Sequence, residues 1–190
     1  LNIQFKEGIL SDLLPLVENQ KPQKIDEVIK QRKISKLIHF TSELNIESIR
    51  KNGIFPRQRL VDEKKIFDSN DSFRLEQHLD AVCLSVQVPN KHLLEEFCRR
   101  YPDKNYKIIE INPDILTHVN QKNNQVKVLF FDYNAASKYA SRSEDDFNIM
   151  FKKEIRKHFV SNNRDNKESN VPTSEQAEIL YFGVIPSNYI

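Results

Sequence analysis

The chain has 190 residues, enough for one domain with one sizeable core. Lys and Arg total 29 against 27 Asp and Glu, a formal net charge of +2, so no overall polyanion-binding signature stands out, and nucleic acid is neither required nor excluded. There are only three glycines, Gly8, Gly53 and Gly183. That scarcity excludes a P-loop and a dinucleotide GxGxxG turn, both of which need clustered glycines for close backbone approach to phosphate. A nucleotide bound here must be held by side chains.

Two cysteines, Cys83 and Cys98, are too few for a disulfide framework and lack zinc-site spacing. Both read as small buried residues in a reducing compartment. No apolar stretch reaches the length of a membrane span, and no basic-then-apolar leader opens the chain. The expectation is a cytoplasmic protein with no membrane association and no metal.

In chain order, "GILSDLLPLVEN" is a short apolar stretch broken by Pro15, and "KPQK" reads as a linker. "KIDEVIKQRK" predicts a helix with Ile25, Val28 and Ile29 on one face. "SKLIHFT" predicts a strand, and "SELNIESIRKNG" a helix with Glu43 in its first turn, Lys51 in its last and Gly53 just beyond. Residues 55–73 have weak periodicity and read as irregular, with short helical turns. "DAVCLSVQVP" predicts a strand ended by Pro89, and "NKHLLEEFCRRY" a helix with Leu93, Leu94 and Phe97 inward.

"YKIIEIN" and "QVKVLFF" predict strands, and "DYNAASKYAS" a short helix. "EDDFNIMFKKEIRKHFV" predicts a strongly amphipathic helix, with Phe147, Met150, Phe151, Ile155 and Phe159 on one face. Residues 161–175 are polar and patternless, a length that marks a functional or disordered loop. "AEILYFGVI" predicts the last strand. About five strands at irregular intervals among helices predict an α+β domain with a mixed sheet.

Several residues carry candidate chemistry. His39 in "LIHFT" is either a backbone-bonded strand histidine or, beside Thr41 and a helix start, a group suited to sugar or phosphate oxygens. Arg74 is either a solvated arginine paired with Glu76 or Asp80, or a bidentate clamp for a pyrophosphate; Arg57 and Arg59 compete for that role. Glu178 opens the last strand. It either faces water on an edge or stands at the mouth of a cleft, where it can stabilise positive charge or take a proton. "YNAAS" reads first as a helix start capped by Asn134.

The order of these pieces resembles the DarT family of NAD-dependent DNA ADP-ribosyltransferase toxins. The matching stretches are "LIHFTSELNIESIRKNGI", "FRLEQHLDAVCLSVQVPN", "LFFDYNAASKYAS" and "EQAEILYFGVIP". The "LSVQVPN" and "NAAS" pieces look closer to the branch that modifies guanine. The resemblance implies an ADP-ribosyltransferase-type split mixed β-sheet with flanking helices over residues 31–190, preceded by an N-terminal extension, 1–30, of unknown role. It implies NAD as co-substrate, held by His39, Phe40, Thr41, Gly53 and Arg74, with Glu178 and Arg74 as the catalytic residues. Tyr133, Asn134, Arg164 and Lys167 would meet single-stranded DNA. It also implies a cognate antitoxin, an ADP-ribosyl-DNA glycohydrolase. The same chemistry on RNA or protein, transfer to water, and a non-catalytic binding module are the rival expectations.

Overall fold

The computed structural model describes residues 22–69, 77–119, 124–157 and 160–190. Among these, α1 (Ile25–Arg32), β1 (Leu37–Ser42), α2 (Ile46–Asn52) and α3 (Arg57–Asp62) come first. β2 (Val82–Val86), α4 (Lys91–Arg100), β3 (Tyr106–Ile111), β4 (Val128–Phe131) and β5 (Arg142–Ser143) follow. β6 (Glu154–Lys157), β7 (Val160–Asn163) and β8 (Glu178–Tyr181) close the chain. The α+β class holds. Six strands form one sheet in the order β3-β1-β2-β8-β4-β5, and β6 and β7 form a separate hairpin.

Each pairing in the large sheet is antiparallel, where the sequence reading expects strands of both directions. β8, last in sequence, is central in space: it runs between β2 and β4. Glu178 therefore does not sit on a sheet edge.

The sheet is split. β1 pairs with β3 along its whole length, from Leu37↔Ile111 to Ser42↔Tyr106. It pairs with β2 only at Leu37↔Val86 and Ile38↔Ser85. Beyond Ile38 the two strands part, and β2 continues beside β8 through Leu84↔Ile179, Cys83↔Leu180 and Val82↔Tyr181. One half carries β1 and β3, the other β2, β8, β4 and β5, and the gap between them opens at His39.

The main core packs Val28 and Ile29 of α1, Leu37, Leu84, Ile111, Phe130, Ile179 and Tyr181 against one face. A residue boundary at 30 thus falls inside a helix that already contributes to this core. A smaller cluster of Ala81, Leu129, Phe131 and Leu180 covers the other face. Gly53 ends α2 at φ +85°, and a Cβ there would run into the Ile185 carbonyl oxygen. Glycine is required at that point, because Ile54 and Ile185 exchange backbone hydrogen bonds of 2.8 and 2.9 Å beside it.

Two predicted helices are absent. Residues 147–151 form a single 3-10 turn with Phe147, Met150 and Phe151 buried, and the chain then enters β6. The i, i+4 apolar spacing fits a helix, but the carbonyls it would use are taken. Met150 O accepts from Thr173 N (2.9 Å), Lys152 O from the Thr173 hydroxyl (2.5 Å) and Lys153 O from Arg164 N (2.9 Å). Tertiary pairing overrides periodicity here. "DYNAASKYAS" forms consecutive turns closed by Ser137 N→Asn134 O and Ala140 N→Ser137 O. Part of the patternless 161–175 stretch is β7, so it is not free of regular structure. Cys98 is exposed, because it lies on the outer side of α4, and only Cys83 is partly buried.

Candidate active site

A cavity of about 360 Å³ lies in the split of the sheet. His39, Thr41, Asn45, Arg57, Asn134 and Glu178 border it, together with Ser85, Asn90 and Phe97. Its size is that of a small-molecule site lined mostly by apolar groups with a few converging polar ones.

β1 carries His39 to the point where the strands part. Its Nδ1 donates to the Cys83 carbonyl at 3.0 Å, across the gap that the ladder no longer closes. A carbonyl can only accept, so in the neutral ring this bond makes Nε2 the acceptor nitrogen. Phe40 packs edge-on against Phe97 of α4, with ring centroids 5.9 Å apart. The Thr41 hydroxyl accepts from Asn45 Nδ2 at 2.9 Å, which leaves its own proton to donate.

Asn45 does more than hold Thr41. Its Nδ2 also donates to Asp68 O (2.9 Å) and its Oδ1 accepts from Asp68 N (2.8 Å), a strand-like pairing made by a side chain. Asp68 takes Lys104 Nζ at 2.6 Å. Burial pushes the Asp68 carboxyl up, but Lys104 and Ser42 donate hydrogen bonds and Lys104 adds its charge, and the result lies below the usual carboxylate range. This pins Ile66–Ser69 as one wall of the cavity.

Glu178 is 7 % exposed and starts the central strand. It pairs in register with Phe131, and one step beyond the Leu84↔Ile179 pair it stands beside Ser85. Its Oε2 accepts from Ala135 N at 2.7 Å. That bond ties the 133–141 turns to the start of the central strand. A buried carboxylate needs such donors, and the arrangement fixes it at the cavity wall.

Tyr133 and Asn134 flank this turn. Tyr133 OH accepts from Gln176 Nε2 at 3.0 Å, and Asn134 borders the cavity. Arg164 and Lys167 are elsewhere. The Arg164 guanidinium donates to Val171 O (2.6 Å), Glu168 O (2.5 Å) and Ser169 O (2.9 Å) and lies over the Phe151 ring. Lys167 faces Glu175 at 3.8 Å. Neither borders the cavity. Arg74 lies outside the described residues. Arg59 is paired with Glu63 at 2.6 Å, while Arg57 and Arg100 both border the cavity.

Sequence reasoning missed Asn45, Ser85 and Asn90. Asn90 was readable as the cap of α4, and its Oδ1 does accept from Leu93 N at 3.1 Å. What no pattern shows is that Asn90 is 2 % exposed and its Nδ2 has no partner, at a cavity wall.

Comparison with known proteins decides the family. The sequence profile described as "DarT: ssDNA thymidine ADP-ribosyltransferase, DarT" matches residues 38–190. The chain belongs to the DarT family. That family is described as one of ADP-ribosyltransferases acting on single-stranded DNA. No curated protein matches it. A solved structure, Thermosipho africanus DarTG in complex with ADP-ribose, is similar in fold at a TM-score of 0.51 and 16 % identity. The match covers 82 % of this chain but 42 % of that one, so the chain spans less than half the length of that solved chain. Among the described residues, no helix is long and apolar enough to cross a membrane and no cluster of three metal-ligating side chains forms.

Proposed function

We propose that this chain transfers ADP-ribose from NAD to guanine in single-stranded DNA, with Glu178 as the catalytic carboxylate. The observation that carries the reading is the position of Glu178: buried, held by Ala135 N, on the central strand, across a split-sheet cavity from His39. Family membership supplies the reaction class.

The bond that breaks joins the ribose C1′ to the nicotinamide nitrogen. Nicotinamide leaves as a neutral molecule from a cationic ring, so acid assistance is not needed. Positive charge develops on the ribose, as in glycoside cleavage. A fixed carboxylate beside the 2′-hydroxyl stabilises that charge. A base nitrogen then bonds to C1′, and its proton passes to the carboxylate, assistance worth roughly 10²–10⁴-fold.

His39 and Thr41 bind the ribose on the nicotinamide side, with Phe40 and Gly53 shaping the wall beside them. Arg74 holds the diphosphate. Tyr133 and Asn134, adjoining Glu178, meet the acceptor strand. Arg164 and Lys167 serve it indirectly, by ordering the loop before β8. The guanine reading rests on "LSVQVPN" and "NAAS", which resemble the guanine-modifying branch and place Ser85, Asn90, Asn134 and Ala136 on the cavity. The matching family profile names thymidine. A cytoplasmic toxin of this kind pairs with an antitoxin that removes ADP-ribose from DNA.

The test is incubation with NAD and single-stranded oligonucleotides, each lacking one base, read by mass. Loss of the adduct only in the guanine-free strand supports the reading; loss in the thymine-free strand replaces guanine with thymine. Nicotinamide release at equal rate without DNA would make water the acceptor. Glu178→Gln is expected to cut transfer by at least about 10²-fold. Transfer at the parental rate removes Glu178 from the chemistry.

A further inference from the structure

The ladder between β1 and β2 is short, and a single side chain extends it. Gln87 follows the last residue of β2 at φ +63°, a region that L residues other than Asn and Asp seldom occupy. From that backbone turn its carboxamide oxygen accepts three donors at once: Ser35 N at 2.9 Å, Lys36 N at 3.0 Å and the Ser35 hydroxyl at 3.2 Å. Its own N–H donates to Lys36 O at 3.1 Å. These four bonds lie at the closed end of the split, next to Leu37↔Val86.

Through β2 this corner connects both halves of the cavity. Glu178 is fixed to β2 by the β8 pairings, and His39 is carried by β1. The β1–β2 contacts include Leu37↔Val86, Ile38↔Ser85, the His39–Cys83 bond and the Gln87 corner. We propose that Gln87 is a positioning residue: its carboxamide clasps the start of β1 to the end of β2 and so sets the separation of His39 from Glu178. It touches no reacting atom. A clasp at the closed end acts with leverage on the open end, because both strands leave it with their side chains already committed to different halves.

The chemistry demanded of residue 87 is an acceptor at the reach of Gln or Glu. Gln87→Glu keeps that acceptor, and a carboxylate oxygen takes three donors readily. Gln87→Met keeps the length and removes the acceptor. This inference rests on the proposed function only for its kinetic arm.

The experiment compares the parent, Gln87→Glu and Gln87→Met, each as the full chain, by two readouts. Amide hydrogen exchange is followed in peptides covering 34–40, 83–88 and, as internal reference, 128–131 with 178–181. Kinetics with NAD and single-stranded DNA are resolved into kcat and KM for NAD. In Gln87→Met, exchange is expected to speed at least tenfold in the first two peptides and to hold in the reference. KM for NAD is expected to rise at least fivefold and kcat to fall with it, while Gln87→Glu stays within twofold of the parent on every measure.

Unchanged exchange at 34–40 in Gln87→Met would overturn the clasp. So would equal acceleration in the reference peptides, which marks general destabilisation, and so would failure of Gln87→Glu to restore the parent. Local opening with KM and kcat unchanged would overturn the link to the cavity. A parent that shows no reaction with NAD sinks the proposed function instead, and the exchange arm still decides the clasp.

Discussion

At the scale of single residues, the informative ones are polar groups buried with a defined deficit. Tyr181 is fully buried in the middle of the core, and its hydroxyl has no hydrogen-bond partner. Burial, with a smaller contribution from Tyr189, pushes that phenol up to about 12. An unmet buried hydroxyl costs about 1 kcal/mol or more. Tyr181→Phe removes the deficit and keeps the ring, so it should raise the thermal midpoint by about 2–4 °C, the shift expected per kcal/mol in a domain of this size. A lower midpoint in a thermal melt would show that the hydroxyl is satisfied.

Asn90 has the same kind of deficit but a different location, because it borders the cavity. Asn90→Asp preserves the helix-capping acceptor and removes the amide donor. The expected outcome is weaker NAD binding by calorimetry, by about tenfold, with the melt nearly unchanged. Equal affinity would confine Asn90 to its cap.

At the scale of elements, legibility in the sequence tracks where the backbone hydrogen bonds go. α1, α2 and α4 were readable because what marks them is local in sequence: an apolar face in α1, a stop just past α2, and a cap and basic last turn in α4. The Asn90 cap, the basic last turn Arg99–Arg100 and Gly53 after α2 are local facts. The 147–157 segment was misread because carbonyls of Met150, Lys152 and Lys153 are claimed by Thr173 and Arg164, far along the chain, and Phe159 lies outside the described residues. No window of residues contains that competition.

The Arg164 guanidinium organises the loop that claims those carbonyls. Burial holds its pKa below the ordinary value, and its N–H groups are aimed at three carbonyls of the 168–171 stretch. Lysine cannot reproduce that fork. Arg164→Lys and Arg164→Ala should therefore both speed proteolytic cleavage within 164–173, Lys giving little rescue. Full protection in the lysine variant would reduce the side chain to a point charge.

The wall at Ile66–Ser69 depends on pH through Asp68. Its folded pKa lies below the unfolded value of about 3.9. The stabilisation is therefore fully present above that value and lost as pH falls through the lower, folded value. The stability gap between the parent and Asp68→Asn should narrow as pH falls below about 4 in denaturant titrations. A constant gap would mean that Asp68 acts by shape alone.

At the scale of the whole molecule, the order of strands explains how a site assembles from residues 139 positions apart, His39 and Glu178. The last strand enters the sheet between β2 and β4, so the start of "AEILY" meets the end of β2 while β1 departs from it. Strand existence was legible from alternation and aromatics. Strand order was not, since it is fixed by which faces bury together, and neither the antiparallel direction of every pairing nor the split follows from any single stretch. His39 and Glu178 were therefore legible as candidates, while their convergence needed the fold.

That architecture carries a thermodynamic consequence. A dinucleotide spanning the split contacts both halves, which the folded chain joins through a short ladder and the Gln87 corner. The unfolded chain offers no such site, so binding adds directly to stability as RT ln(1 + [L]/Kd). At a free NAD concentration 100 times its Kd the gain is about 2.7 kcal/mol. For a domain of this size that corresponds to a rise of roughly 5–10 °C in the thermal midpoint. ADP-ribose, which lacks nicotinamide but keeps both riboses and the diphosphate, should give a shift of the same sign when held at its own saturating concentration. Single-stranded DNA added to the NAD-bound protein should shift the midpoint further at low salt and less as salt rises, because phosphate contacts release counterions. If neither nucleotide moves the midpoint at millimolar concentration, the cavity between β1 and β2 is not a dinucleotide site, whatever the family's chemistry.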